Sequence, residues 1–183
     1  MATSRLAPAP GTLLVAPATE DDDPVFARAV ILIVDREPNG ITAGLVLNRP
    51  SGHIAETSAR ALLFIPDLKA QAFWGGPMGS DPAILAHFSA SHGLEWFHLA
   101  KRQERPFPLA NVGVIAVAEH PEPFEGRILH ARLYVGLCVW GAGQLESEVE
   151  SGAWDVTQAA VDHLFRPDTA TLWPDLQPST REE

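Results

Sequence analysis

Three short segments combine hydrogen-bonding or charged residues with glycines that could present them to a ligand. Asn48-Arg49-Pro50 ends an apolar run, so a carboxamide and a guanidinium emerge at the rim of a sheet. Gly75-Gly76-Pro77 follows Trp74, and two residues without a Cβ let another backbone approach closely. Trp140-Gly141-Ala142-Gly143-Gln144-Leu145-Glu146 joins a second apolar run to a helix and leaves backbone N–H groups beside Gln144. If these turns converge, they form a small polar cleft in which Arg49 anchors an anion and Gln144 supplies a directional hydrogen bond. The structural alternative is that Arg49 pairs with Glu146 and pins the turns, because ion-pair networks and sites look alike in sequence. The candidate ligand-binding residues are Asn48, Arg49, Gly75, Gly76, Trp140, Gly141, Gly143, Gln144 and Glu146. No catalytic residue is assigned.

Familiar catalytic and cofactor patterns are incomplete. Gly141-Ala142-Gly143 begins like a dinucleotide fingerprint, but Glu146 stands where the third glycine belongs and brings negative charge toward a pyrophosphate. Neither Lys69 nor Lys101 ends a Walker loop, and Gly76-Pro77-Met78-Gly79-Ser80 lacks the central serine of a nucleophile elbow. Cys138 lies among Val135, Leu137, Val139 and Trp140 with no basic neighbour in sequence, which reads as a buried structural thiol. His87, His92 and His98 are not at zinc-helix spacing, while His53, His120, His130 and His163 stand singly. The acidic knot Glu20-Asp21-Asp22-Asp23 lacks the glycine and terminal glutamate of a calcium loop, so it reads as a solvated loop. No metal or cofactor is expected.

The elements that must position these residues are mostly strands. Thr12–Ala16, Ala29–Val34 and Thr42–Leu47 read as strands, the last two joined across Asp35–Gly40. Ala29–Val34 is continuously apolar, so both of its faces should be covered. Gln71–Trp74, Ile84–Phe88 and Val112–Ala118 are further strands, and Arg127–Trp140 forms one long strand or two. Helices are expected over Ile54–Phe64, Glu146–Ser151 and Thr157–Phe165, the last starting at Thr157. The pattern predicts an α+β fold: a single domain with a largely antiparallel or mixed sheet, flanking helices and C-terminal helices. Its expected extent is residues 11–174, between a flexible N-terminus (1–10) and a flexible acidic tail (175–183).

Composition narrows the function classes. The 183-residue chain is 46% apolar and 20% charged, with a formal charge of −10, so it can bury a core and is not disordered as a whole. From Gln144 onward, nine acidic residues face only Arg166 and Arg181. The small basic group Lys101, Arg102 and Arg105, near Trp96 and Phe97, is too weak to hold a phosphate backbone against that charge. Direct nucleic-acid binding and membrane association are therefore not expected. Val112–Ala118 and Leu133–Ala142 are the longest apolar runs and fall well short of the ~18–20 residues that span a bilayer. The stretch after Arg5 resembles an export signal, but Pro8, Pro10 and Pro17 interrupt it; a cytoplasmic location is expected.

Taken together, the segments resemble a known family. Gly11-Thr-Leu-Leu-Val-Ala followed by Asp23-Pro-Val-Phe26-Ala-Arg28 looks like the start of YqgE/AlgH family proteins. Gly44-Leu-Val-Leu-Asn48-Arg49-Pro50 is similar to that family's Gly-Leu-(Val/Ile)-(Leu/Ile)-Asn-Arg-Pro signature, and Trp74-Gly75-Gly76-Pro77 to its Gly-Gly-Pro turn. Gly136 to Glu146, followed by Gly152-Ala-Trp154, resembles the family's Trp-Gly-Pro-Gly-Gln-Leu-Glu region and downstream Trp. Leu137, Cys138, Val139 and Ala142 depart from the familiar Tyr, Ala, Gly and Pro, which makes the preceding strand bulkier. The resemblance implies a compact bacterial α+β protein without an assigned activity; some members carry a transcriptional-regulator label linked to alginate production.

The leading expectation is a binding or regulatory module acting through a cleft on a small molecule, or through contact with a basic protein surface. The alternatives are a hydrolase or transferase using the Arg49, Gln144 and Glu146 neighbourhood, and a transcription-associated regulator that does not itself bind DNA.

Overall fold

In the computed structural model, residues 6–18, 23–51, 72–89, 109, 111–116 and 128–177 are described. The helix expected over residues 54–64, the basic group at residues 101–105, His53, His92, His98, His120 and the acids at 20–22 lie outside them.

The apolar runs become strands: β1 (Thr12–Val15), β2 (Val30–Arg36), β3 (Thr42–Val46), β4 (Pro50–Ser51), β5 (Ala72–Trp74), β6 (Met78–Phe88), β7 (Val112–Ala116), β8 (Ile128–Trp140) and β9 (Asp155–Gln158). Helices follow the long strand: α1 (Gln144–Glu150), α2 (Val161–Phe165), a short 3-10 turn (Thr169–Thr171) and α3 (Leu172–Leu176). The strands form one mixed sheet in the order β4-β5-β8-β3-β2-β1-β9, with β6 and β7 joined through β8. Only β5 and β8 run parallel among the pairings described, so the fold is α+β rather than an alternating α/β.

Alternation along β1, β2 and β3 builds two cores, because successive side chains of a strand point to opposite faces. Leu13, Val15, Val30, Leu32, Leu45 and Leu47 face one way, against Leu164 of α2 and Leu172 of α3. Leu14, Ile31, Ile33 and Val46 face the other way, against Leu145 and Val149 of α1 and Trp154. Residues 30–33 of β2 are fully buried, as a continuously apolar run covered on both faces requires.

β8 is the spine of the molecule. Residues 128–137 pair with β6, residues 133–135 with β5, and residues 138–140 with β3. It is one strand rather than two, with Gly136 at φ +75° absorbing the change of neighbours.

Three expectations shift. Thr157 does not start a helix: it pairs with Leu13 in β9, and α2 begins at Val161. The open edge of β1 offers a ladder of backbone hydrogen bonds, which outweighs the local capping preference of a threonine. α1 begins at Gln144, two residues earlier than its apolar pattern indicated, because Gly143 at φ +77° turns the chain into the helix. Asp175 and Gln177, assigned to the tail, are anchored: Asp175 pairs with Arg166, and the Gln177 amide donates to the Ala16 carbonyl at 3.2 Å.

Candidate functional site

Two of the three turns meet through their backbones, and the second also packs on the stretch of β8 that leads to the third. Trp74 N–H donates to the Arg49 carbonyl at 2.8 Å, Val46 N–H to the Gly75 carbonyl at 2.9 Å, and Gly75 N–H to the Val135 carbonyl at 2.8 Å. A Cβ on Gly76 would overlap Leu137 and Cys138 backbone, and one on Gly136 would overlap the Gly76 carbonyl. The glycines thus serve a close crossing of two chains rather than contact with a ligand. Gly75 and Gly76 do not line the cleft beside them; Pro77 and Met78 do.

That cleft, of about 570 Å³, opens where β8 ends and α1 begins. Trp140, Gln144, Glu148 and Trp154 form one side of it, and Phe26, Asp23, Met78 and Val139 others. Glu148 organises the wall. Its Oε2 accepts the indole N–H of Trp140 at 2.9 Å and that of Trp154 at 2.8 Å, while Oε1 accepts the Gln144 amide at 2.9 Å. Gln144 in turn accepts Gly141 N–H at 3.0 Å, so the turn, the helix and both indoles are tied to one carboxylate. Phe26 stacks edge-on to Trp154 at 5.9 Å and tilts toward Trp74 at 6.4 Å. Gly44 leaves room for the Trp140 ring, which lies only 3.2 Å from where a Cβ would stand.

Of the sequence-predicted residues, Trp140 and Gln144 line the cleft, whereas Asn48, Arg49, Gly141, Gly143 and Glu146 do not. Asn48 stitches β3 to the chain before β2, accepting Val30 N–H at 3.0 Å and donating to the Arg28 carbonyl at 2.8 Å. Arg49 donates to the Ala27 carbonyl and to its neighbour Asn48, and burial lowers its pKa from the ordinary arginine value. Ala27 lines the cleft, so Arg49 supports the wall from behind. Arg49 and Glu146 are not partners. Glu146 pairs with Arg36 of β2, which the hairpin brings against α1, and its own backbone N–H with Arg36 holds its carboxyl below the usual range. The Arg49, Gln144 and Glu146 side chains are thus held by three different sets of partners, and no shared constellation for hydrolysis or transfer forms.

Phe26, Asp23, Glu148 and Trp154 belong to the cleft but were not among the predicted site residues. Glu148 lay inside the helix expected over Glu146–Ser151 but Gln144 lay outside it, so their four-residue spacing becomes a helical one only because the helix starts at Gln144. Asp23, Phe26 and Trp154 carried no spacing signal, because the fold brings them in from separate loops.

Other reactive groups are restrained. Burial pushes the Cys138 thiol up to about 12, and its Sγ points at the Gly75 carbonyl at 3.7 Å. No group of three metal-ligating residues occurs among the described residues. Further along β8, His130 stacks at 5.8 Å on His87 of the adjacent β6, with Phe165 against both. Arg132 lies over the Phe73 ring at 5.0 Å and donates to the Arg166 carbonyl. Burial raises the Tyr134 hydroxyl to about 12, with Arg132 pulling the other way. No described helix is long and apolar enough to cross a membrane.

Comparison with known proteins agrees with the family resemblance. The AlgH-like family model matches residues 12–180. A UPF0301 protein of Thermobifida fusca is 34% identical over 167 residues, covering 89% of this chain and 82% of its own. Another, from Streptomyces coelicolor, is 33% identical over 172 residues, with 89% and 82% covered. The crystal structure of a Corynebacterium diphtheriae protein superposes with a TM-score of 0.79 at 25% identity, covering 98% of this chain and 92% of that one. The solution structure of the AlgH protein of Pseudomonas aeruginosa shares the fold, with a TM-score of 0.61 at 23% identity over 91% and 88% of the chains. No specific activity accompanies these likenesses, and the chain belongs to the AlgH-like family.

Proposed function

We propose that the protein is a binding module, cytoplasmic and regulatory rather than catalytic, which acts through the cleft between β8 and the loop after α1. The observation that carries this reading is the commitment of Glu148 to two indole N–H groups and an amide. A carboxylate that accepts three hydrogen bonds fixes its donors in place and has its oxygens already engaged, which suits recognition better than proton transfer. Cys138, the one thiol lining the cleft, is kept protonated by burial and is not an activated nucleophile. The aromatic wall with a few oriented polar groups has the composition of a ligand pocket.

The test is a thermal-shift screen of metabolites, nucleotides and short peptides on the full chain, repeated with Ala153→Phe and Arg49→Ala. Ala153 is an exposed cleft residue, so the added ring fills the space without entering the core. Stabilisation by a hit should vanish in Ala153→Phe and persist in Arg49→Ala. A hit that stabilises both variants equally places the binding elsewhere and rejects this reading, as does chemical turnover of a hit that continues in the filled variant.

A further inference from the structure

Resting on the reading of the cleft as a binding site, we infer that its ligand is an organic cation: an alkylammonium or guanidinium group carried on an apolar body. The cleft is lined by two carboxylates, Asp23 and Glu148, and by no Lys, Arg or His. Neither acid takes part in an ion pair among the described residues, where the pairs formed are Arg36 with Glu146 and Arg166 with Asp175. Neutral donors hold the Glu148 oxygens in place without cancelling the charge, so the cleft keeps a negative potential that a cation would neutralise.

The aromatic residues point the same way. Both indole N–H groups turn toward Glu148 Oε2, and the rings, 4% and 7% exposed, form an apolar floor behind that carboxylate rather than open faces. Phe26 stands edge-on to Trp154 and adds a third aromatic ring to the same wall. Two large apolar side chains at the rim, Met78 and Val139, are 53% and 41% exposed and would cover the methylenes behind the charge. An anion would meet two like charges with no cation to offset them, and a neutral ligand would leave the carboxylates uncompensated. The ligand chemistry could come from a free amine or from a lysine side chain of a partner protein; the charge and the apolar stem are common to both.

Titration of the uniformly 15N-labelled full chain, following the indole N–H signals of Trp140 and Trp154, tests the inference. The probes are n-butylammonium, n-butanol and butyrate, with a blocked Ala-Lys-Ala peptide. n-Butylammonium should shift both indole signals and bind more tightly than butanol or butyrate. Glu148→Gln, which keeps an acceptor oxygen for the indoles, should weaken it roughly tenfold, the change expected when one desolvated cation contact is lost. Asp23→Asn, an exposed substitution, should weaken it less. A peptide that binds more tightly than butylammonium assigns the cation to a protein partner; butylammonium alone assigns it to a free amine. Butanol or butyrate binding at the same indoles as tightly as butylammonium overturns the cation while leaving the binding cleft intact. An unchanged affinity in Glu148→Gln also overturns it. Indole signals that no probe moves overturn both the cation and the cleft as the binding site.

Discussion

At the C-terminal end of β8, Glu148 ties together both indoles and the Gln144 amide. Toward the other end of the same strand, His87 Nδ1 of the adjacent β6 and an Arg132 guanidinium nitrogen and the Tyr134 hydroxyl of β8 are buried without a hydrogen-bond partner; Glu146 Oε2, on α1, is the other such atom among the described residues. The two ends of β8 thus border a wall whose carboxylate is satisfied and, with His87 on the neighbouring β6, a group that includes polar atoms that are not. Buried polar groups cost stability unless they are paired, so the two ends should respond to substitution with opposite signs. The satisfied end is built to hold its shape. The unsatisfied end stores a penalty that mutation can remove.

The largest effect is expected at the satisfied end. Glu148→Ala leaves two indole N–H groups without an acceptor and should cost about 2–4 kcal/mol, measured by urea unfolding. A neutral result would mean that the two ends do not differ. Arg49→Ala removes donors to the Ala27 and Asn48 carbonyls behind the cleft and should cost about 1–2 kcal/mol while ligand affinity stays unchanged. Loss of affinity larger than loss of stability would return Arg49 to the role of ligand anchor.

At the unsatisfied end the sign reverses. Tyr134→Phe deletes a hydroxyl that is fully buried without a partner and keeps the ring packed on Phe73 at 5.4 Å. Stability should rise by about 1 kcal/mol in the same urea measurement. A decrease would show that the hydroxyl has a favourable partner and would erase the contrast.

The smallest expected effect is on pH dependence. Burial, aided by His130, lowers the pKa of His87, and burial with Arg166 lowers that of His163. A folded pKa below the unfolded value of about 6.5 contributes stability that is present above that pH and is lost as pH falls from it toward the folded value. The melting temperature should therefore drop between about pH 8 and pH 5.5, and His87→Gln should flatten the slope. An unchanged slope would remove His87 from the unsatisfied row.

The fold was legible where local pattern and tertiary demand agree. The unbroken apolar run of β2 announced a strand covered on both faces, and the Asn39-Gly40 turn announced its hairpin with β3. Thr157 shows where local pattern misleads: its capping preference is local, but the β1 edge that captures it lies 144 residues earlier at Leu13. The site divides in the same way. Trp140 and Gln144 flank the glycine turn that presents them, so their place at the cleft could be read from neighbouring residues. Arg49 could not be resolved, because its partner, the Ala27 carbonyl, is a backbone atom with no sequence signature. The partner of Glu146, the Arg36 guanidinium, was missed for a different reason: it lies 110 positions away, beyond any local spacing. Glu148 stood four residues from Gln144, but its two indole partners come from different elements, and only the folded chain shows that they share one oxygen.

Hydrogen exchange of the two indole N–H groups tests the preformed cleft most directly. With both protons held by Glu148 Oε2, Trp140 and Trp154 should exchange slowly in the ligand-free protein and accelerate together in Glu148→Ala, while amides of β2 stay protected. Fast exchange of either indole in the unsubstituted protein, or acceleration of only one in the variant, would contradict a wall organised by a single carboxylate.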